Sequence, residues 1–250
     1  MNKFWSWVFL IAAGALVLLF FSNDFGLIDI QKTAIVAAIG IDSSEEAEGR
    51  WSVTAQIAVP DANANKASNV SIPSAETVGA GIAEVNRKTG WYPTLVHCRL
   101  ILLGEDVAEG DVFRVLGYFL RSEFVEDSCL VAVCEGRAQE MLGASSPVGE
   151  LTTMAIAKVL SSEAQKTGLV CVTNLRDFAK GYYSAAKSGY LPFLARLPEA
   201  ESGGPSEGGG GSADGGQTGG SSSGGSGQSG SVGNADVFDA SKTMLFYEGK

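Results

Sequence analysis

The sequence predicts an α/β protein of the mixed α+β kind: an N-terminal transmembrane helix, then a mixed β-sheet domain with packed helices. Three observations carry this. Residues 4–21, FWSWVFLIAAGALVLLFF, hold no charge. Between residues 28 and 200, stretches of period two alternate with stretches of helical period. A Gly/Ser tract then separates that region from a short strand-like end. The expected divisions are residues 1–27 as anchor helix and junction, 28–200 as the α/β region, 201–234 as a disordered linker, and 235–250 as a strand pair.

At ~1.5 Å per residue the apolar run covers roughly 27 Å, close to a bilayer core of about 30 Å. Trp5 and Trp7 stand at one end, where aromatic rings favour the interface. Lys3 before the run and Asp24 after it favour a cytoplasmic N-terminus with the bulk outside. A cleaved signal peptide wants small residues before the cut. The run ends Leu19, Phe20, Phe21, Ser22, Asn23, which fits badly, so an uncleaved, single-pass anchor is expected.

Residues 34–39 are apolar on both faces, as in a central strand. Trp51, Val53, Ala55, Ile57 and Val59 then alternate with Ser52, Thr54, Gln56 and Ala58, a half-buried strand ended by Pro60. The two are expected to form a hairpin around an acidic loop. Residues 61–74 read as a polar loop. Val78, Ile82 and Val85 share a helical face, with Gly90 as C-cap. Residues 95–103 read as an apolar strand interrupted by His97 and Arg99. Asp111 is a good N-cap for a helix striped by Val112, Val115, Leu116, Phe119 and Leu120.

Residues 129–134 read as the next strand, so strand, helix, strand make a parallel crossover. A short helix is expected over 138–142. Two more helices are expected over 151–166 and 175–187, the latter capped by Asn174, with a short strand at Cys171 and Val172 between them and another strand over 193–197. Of residues 202–233, 15 are Gly and 9 are Ser. Such a chain buries too little surface to offset its ordering entropy, and it spans about 30 Å as a flexible tether. Strands over 235–238 and 243–247 around a turn at 239–242 are too few to stand alone; they join the preceding domain or open another.

The chemistry is sparse. A net charge of -10 opposes nucleic-acid binding, which needs a basic patch to displace counterions. Asp42, Glu45, Glu46 and Glu48 lack the spacing of a calcium loop and are expected to solvate a turn. The single histidine, His97, cannot build a His-based metal site or a serine triad; a satisfied core or edge position is expected. Cys98, Cys129, Cys134 and Cys171 form no CxxC pair and read as small buried hydrophobes. If a disulfide forms, Cys98 with Cys134 is the expected pair, since both lie on strands expected to be neighbours. Gly79 and Gly81 make a poor dinucleotide loop, and no nucleophile elbow, phosphate loop or zinc helix is present. No catalytic residue, metal or cofactor is expected.

The order of segments carries a resemblance. Residues 35–42, IVAAIGID, lead to residues 51–60, WSVTAQIAVP. Residues 95–110 read LVHCRLILLGEDVAEG, residues 116–122 LGYFLRS, and residues 135–142 EGRAQEML. In that order, with compatible gaps, these pieces resemble the Ger(x)C family, the C subunits of spore germinant receptors, over about residues 31–198 and faintly 237–249. His97, Glu105 and Arg121 match recurrent family residues and are expected to hold the fold rather than touch a ligand.

The family usually begins with a lipid-modified cysteine. None follows the apolar run here, so anchoring rests on different chemistry. Family members usually carry a further C-terminal domain, where this sequence shows only the closing strand pair.

The resemblance implies a non-catalytic subunit of a nutrient receptor in the inner spore membrane, its bulk on the extracytoplasmic side. Its partners would be membrane lipid, a membrane-embedded transporter-like subunit and a second membrane subunit. A stalked cell-envelope module that binds solute or wall is the alternative. The tether suits a stalk, and a patch of Trp51, Trp91 and Tyr92 would favour it.

Overall fold

The computed structural model describes residues 2–22, 33–59, 66–144, 151–161, 166–198 and 236–247. It divides into two units, Met1–Thr33 and Ala34–Lys250. In the first, Asn2–Ser22 form helix α1. Its described side chains, residues 4–17, are all exposed. Among the described residues no helix is long and apolar enough to cross a membrane. The side chains of residues 18–21, which complete the expected span, and the tract at 201–234 lie outside the described residues.

In the second unit, the doubly apolar segment forms strand β1, Thr33–Ser43. Strand β2, Trp51–Val59, pairs with it antiparallel, Ile41 opposite Val53, giving the expected hairpin. Strand β3, Lys66–Ala75, adds antiparallel to β2, Ala55 opposite Val70. This corrects the expected loop over 61–74, of which 61–65 lie outside the described residues. The polar residues that suggested a loop have partners across the sheet. Thr54 Oγ1 donates to Ser71 Oγ at 3.2 Å, and Gln56 Nε2 to Asn69 Oδ1 at 3.2 Å.

Helix α2, Val78–Thr89, begins at Thr77, whose hydroxyl accepts from Ala80 N, and ends at Gly90 in the left-handed region, φ 72°. Strand β4, Tyr92–Thr94, pairs with β1. The apolar strand expected over 95–103 is shorter: strand β5 is Leu100–Leu103, and His97 lies in the preceding turn, exposed. The Cys98 N–H donates to Leu95 O at 2.9 Å, so this stretch satisfies itself locally.

Helix α3, Glu105–Ala108, and helix α4, Val112–Arg121, lead to strand β6, Leu130–Cys134, parallel to β5 as the crossover predicted. Asp111 accepts from Phe113 N and Arg114 N, as expected of an N-cap. Helix α5 is Ala138–Gly143 and helix α6 is Thr152–Val159, ending well before residue 166. Cys171 and Val172 form no strand; instead Asn174 bridges to Leu130.

Helix α7, Leu175–Tyr183, is capped by Asn174 and stops before residue 187. Strand β7, Ser188–Pro198, runs parallel to β6. Strand β8, Asp236–Tyr247, is one continuous antiparallel partner of β7. The turn expected at 239–242 is a bulge, since Asp239 pairs with Ala195 and Lys242 with Phe193. Asp239 accepts from its own neighbour Ser241, a local bond that both turns and bulges use.

The result is an eight-stranded mixed sheet in the order β3-β2-β1-β5-β6-β7-β8, with β4 beside β1. The end strand pair therefore joins the preceding domain. One face of the sheet carries α2, α4 and α7 over Ile39, Val53, Ile101 and Val131. The other carries α5 and α6 over Ala38, Leu102 and Ala132. β1, β5 and β6 are buried on both faces, which is why they read as unbroken apolar runs.

Candidate functional site

Residues from three of the family-like segments, Asp42, Gly104, Glu105 and Gly136, meet at the C-terminal ends of β1, β5 and β6. Asp42, near the end of β1, is 3% exposed. Its carboxylate accepts from Ala138 N at 2.6 Å and from Gln139 N at 3.0 Å, capping the first turn of α5. Arg137, which precedes that helix, supplies no side-chain cap. Burial pushes the Asp42 carboxyl above its ordinary range, against the lowering effect of the two backbone donors and of Arg137.

Gly104 lies against this carboxylate. A Cβ there would collide with Asp42 Oδ1, so the backbone approach requires glycine. The next residue closes the junction. Glu105 N donates to Gly136 O at 3.0 Å, and Gly136 N returns a bond to Glu105 Oε2 at 3.2 Å. Gly136 sits at φ 65°, a conformation that favours glycine. Arg137 pairs with Glu45 from the acidic loop.

The acidic cluster thus divides, correcting the expectation that all four members solvate a turn. Asp42 is a buried cap, and Glu45 reaches across to α5. A poor N-cap residue ahead of a helix was the signal that an acceptor arrives from elsewhere in the chain.

What this arrangement does chemically is join strands to a helix. The acceptor oxygens of Asp42 and Glu105 are turned to backbone donors rather than to an open cleft. The two described cavities lie elsewhere: one near Arg50, Glu76 and Lys88, the other near Cys98, Glu126 and Asn174.

The three family-matching residues do not converge. His97 precedes β5 and Glu105 follows it, so they lie at opposite ends of that strand. Arg121 ends α4 and is exposed, where a cation favours the helix C-terminus. His97 is therefore neither a core residue nor within a strand.

Cys98, Cys129 and Cys134 are buried as expected, and all four cysteines are free. Cys98 belongs to the core layer under α2 and α4, whereas Cys134 belongs to the layer under α5 and α6. Cys98 precedes β5, outside that strand's alternation, and the sheet separates it from Cys134. Cys171 is exposed rather than buried. Among the aromatic residues, Trp51 is half-buried under the Arg114 guanidinium, 6.0 Å from its ring centre. Trp91 and Tyr92 are exposed beyond α2.

No curated protein and no solved structure matches this chain. A family model does: the one described as the spore germination protein N-terminal domain matches residues 27–196. The matched span runs from before β1 into β7 and contains the whole Asp42–Gly104–Glu105–Gly136 junction. It covers well over half of the sequence, and the chain belongs to the spore germination protein N-terminal domain family, as a Ger(x)C member.

Proposed function

We propose that this chain is a non-catalytic, membrane-anchored subunit of a nutrient germinant receptor acting in spore germination. The family match carries the proposal, since it supports a role in germination. The polar junction at the strand ends agrees with a scaffold rather than an enzyme.

The 18-residue uncharged run holds the domain to the membrane as a single-pass anchor in contact with lipid. The domain sits on the extracytoplasmic side of the inner spore membrane. Confinement to one surface raises its effective concentration for partners there. Those partners are a membrane-embedded transporter-like subunit and a second membrane subunit.

Co-purification tests this. The tagged full chain is expressed beside the multi-spanning membrane protein encoded next to it, and membranes are solubilised gently. Recovery of both proteins together is the expected result. Membrane recovery without a membrane-protein partner, combined with retention on cell-wall material, would replace it with the stalked envelope module.

A further inference from the structure

We infer that Cys98 and Cys129, not Cys98 and Cys134, form an intrachain disulfide that ties together the entrances to β5 and β6.

Both residues belong to the same core layer, under α2 and α4. Cys98 stands two residues before β5 and Cys129 one residue before β6. The strands are parallel with Leu100 opposite Leu130, which brings the two cysteines to neighbouring positions across the sheet. The backbone is fixed there by the bond from Leu130 N to Arg99 O at 2.9 Å. The Cys98 thiol donates to Leu100 O at 3.6 Å and the Cys129 thiol to Leu130 O at 3.8 Å, and the neighbouring Cys98 thiol, ahead of burial, pushes the Cys129 thiol well above its ordinary range. Both line a cavity of about 620 Å³ with Arg99, Glu126, Ser128 and Asn174. Cys134 lies in the other layer and Cys171 is exposed, so the pair is the one the topology brings together.

The two residues are 3% and 2% exposed. Buried thiols react slowly, so the bond forms while the sheet assembles. The thiolate of one cysteine attacks an external disulfide, either a small-molecule one or that of a thiol–disulfide oxidoreductase. A mixed disulfide forms and one thiol is released. The second cysteine then displaces the other external sulfur. Two protons leave the cysteines, two electrons pass to the external disulfide, and it ends as two thiols. An extracytoplasmic compartment permits such a bond to persist. Its formation needs no partner subunit, so it stands or falls apart from receptor assembly.

The test refolds the full chain in detergent with oxidised glutathione or with reductant, alkylates free thiols, digests, and reads the peptides by mass spectrometry. The expected product links Cys98 to Cys129 and leaves Cys134 and Cys171 alkylated. The oxidised form should melt about 5–10 °C above the reduced form, from closure of a loop of about 30 residues. The double variant Cys134→Ala/Cys171→Ala should keep both the link and the shift, which reads the pair even if Cys129→Ala fails to fold. A link from Cys98 to Cys134 or Cys171, or four alkylated cysteines after oxidative refolding, would overturn the assignment.

Discussion

Replacing Asp42 with alanine removes the acceptor that caps α5 and leaves two backbone donors without partners. The two losses differ. Ala138 is fully buried, so its N–H stays unsatisfied at about 1–3 kcal/mol. Gln139 is exposed and its N–H turns to water, leaving a lost cap worth about 1 kcal/mol. Together Asp42→Ala should cost about 2–4 kcal/mol, a fall of about 5–12 °C in melting temperature for a domain of this size.

Asp42→Asn keeps one acceptor oxygen but turns an amide donor towards the second N–H. It should cost less than alanine. It also removes a titration. Because burial raises the folded carboxyl above its ordinary 3.8, the fold binds the proton more tightly than the unfolded chain does. The associated stability is fully present below pH 3.8 and is lost as pH rises through the raised value. The advantage of the wild type over Asp42→Asn should therefore shrink as pH rises through that window. Urea unfolding of the full chain in detergent, followed by circular dichroism across pH, measures both effects. A loss below about 0.5 kcal/mol for Asp42→Ala would refute the buried cap; an advantage that grows with pH would show that the two N–H donors outweigh burial in setting the proton affinity of Asp42.

Glu105→Ala deletes the bond from Gly136 N at the partly exposed edge of the same junction. It should lower stability by about 0.5–1.5 kcal/mol while leaving assembly with partner subunits intact. Normal melting with lost co-purification would instead make Glu105 a docking residue. Gly104→Ala places a Cβ against Asp42 Oδ1 and must displace the cap. It should cost about 1–3 kcal/mol, and combining it with Asp42→Ala should cost less than the sum of the two, because both act on one contact. Additive losses in thermal unfolding would show that the two sites act separately.

Much of the sheet was legible because its patterns are local. The doubly apolar run at β1, the alternation of β2, the Asp111 and Asn174 caps and the face of α2 each follow from neighbours within a turn or a strand. The elements that were misjudged draw their partners from far along the chain. β3 is polar, yet it is a strand because Thr54 and Gln56 supply cross-strand bonds to Ser71 and Asn69. β8 runs through turn-prone residues because β7 absorbs them as a bulge. Asp42 resembles any member of an acidic loop until α5 folds back onto it, from nearly a hundred residues away.

The sequence by itself determined the uncharged N-terminal run, the Gly/Ser tract, the order of most strands and helices, and a family whose motifs stand in fixed order along the chain. These are properties of composition and short-range periodicity, which every residue carries with it. Only the tertiary structure decided which cysteines are neighbours, which carboxylate is buried, and where the end strand attaches. Strand register and face alternation set those outcomes, and a shift of one residue or one layer reverses them.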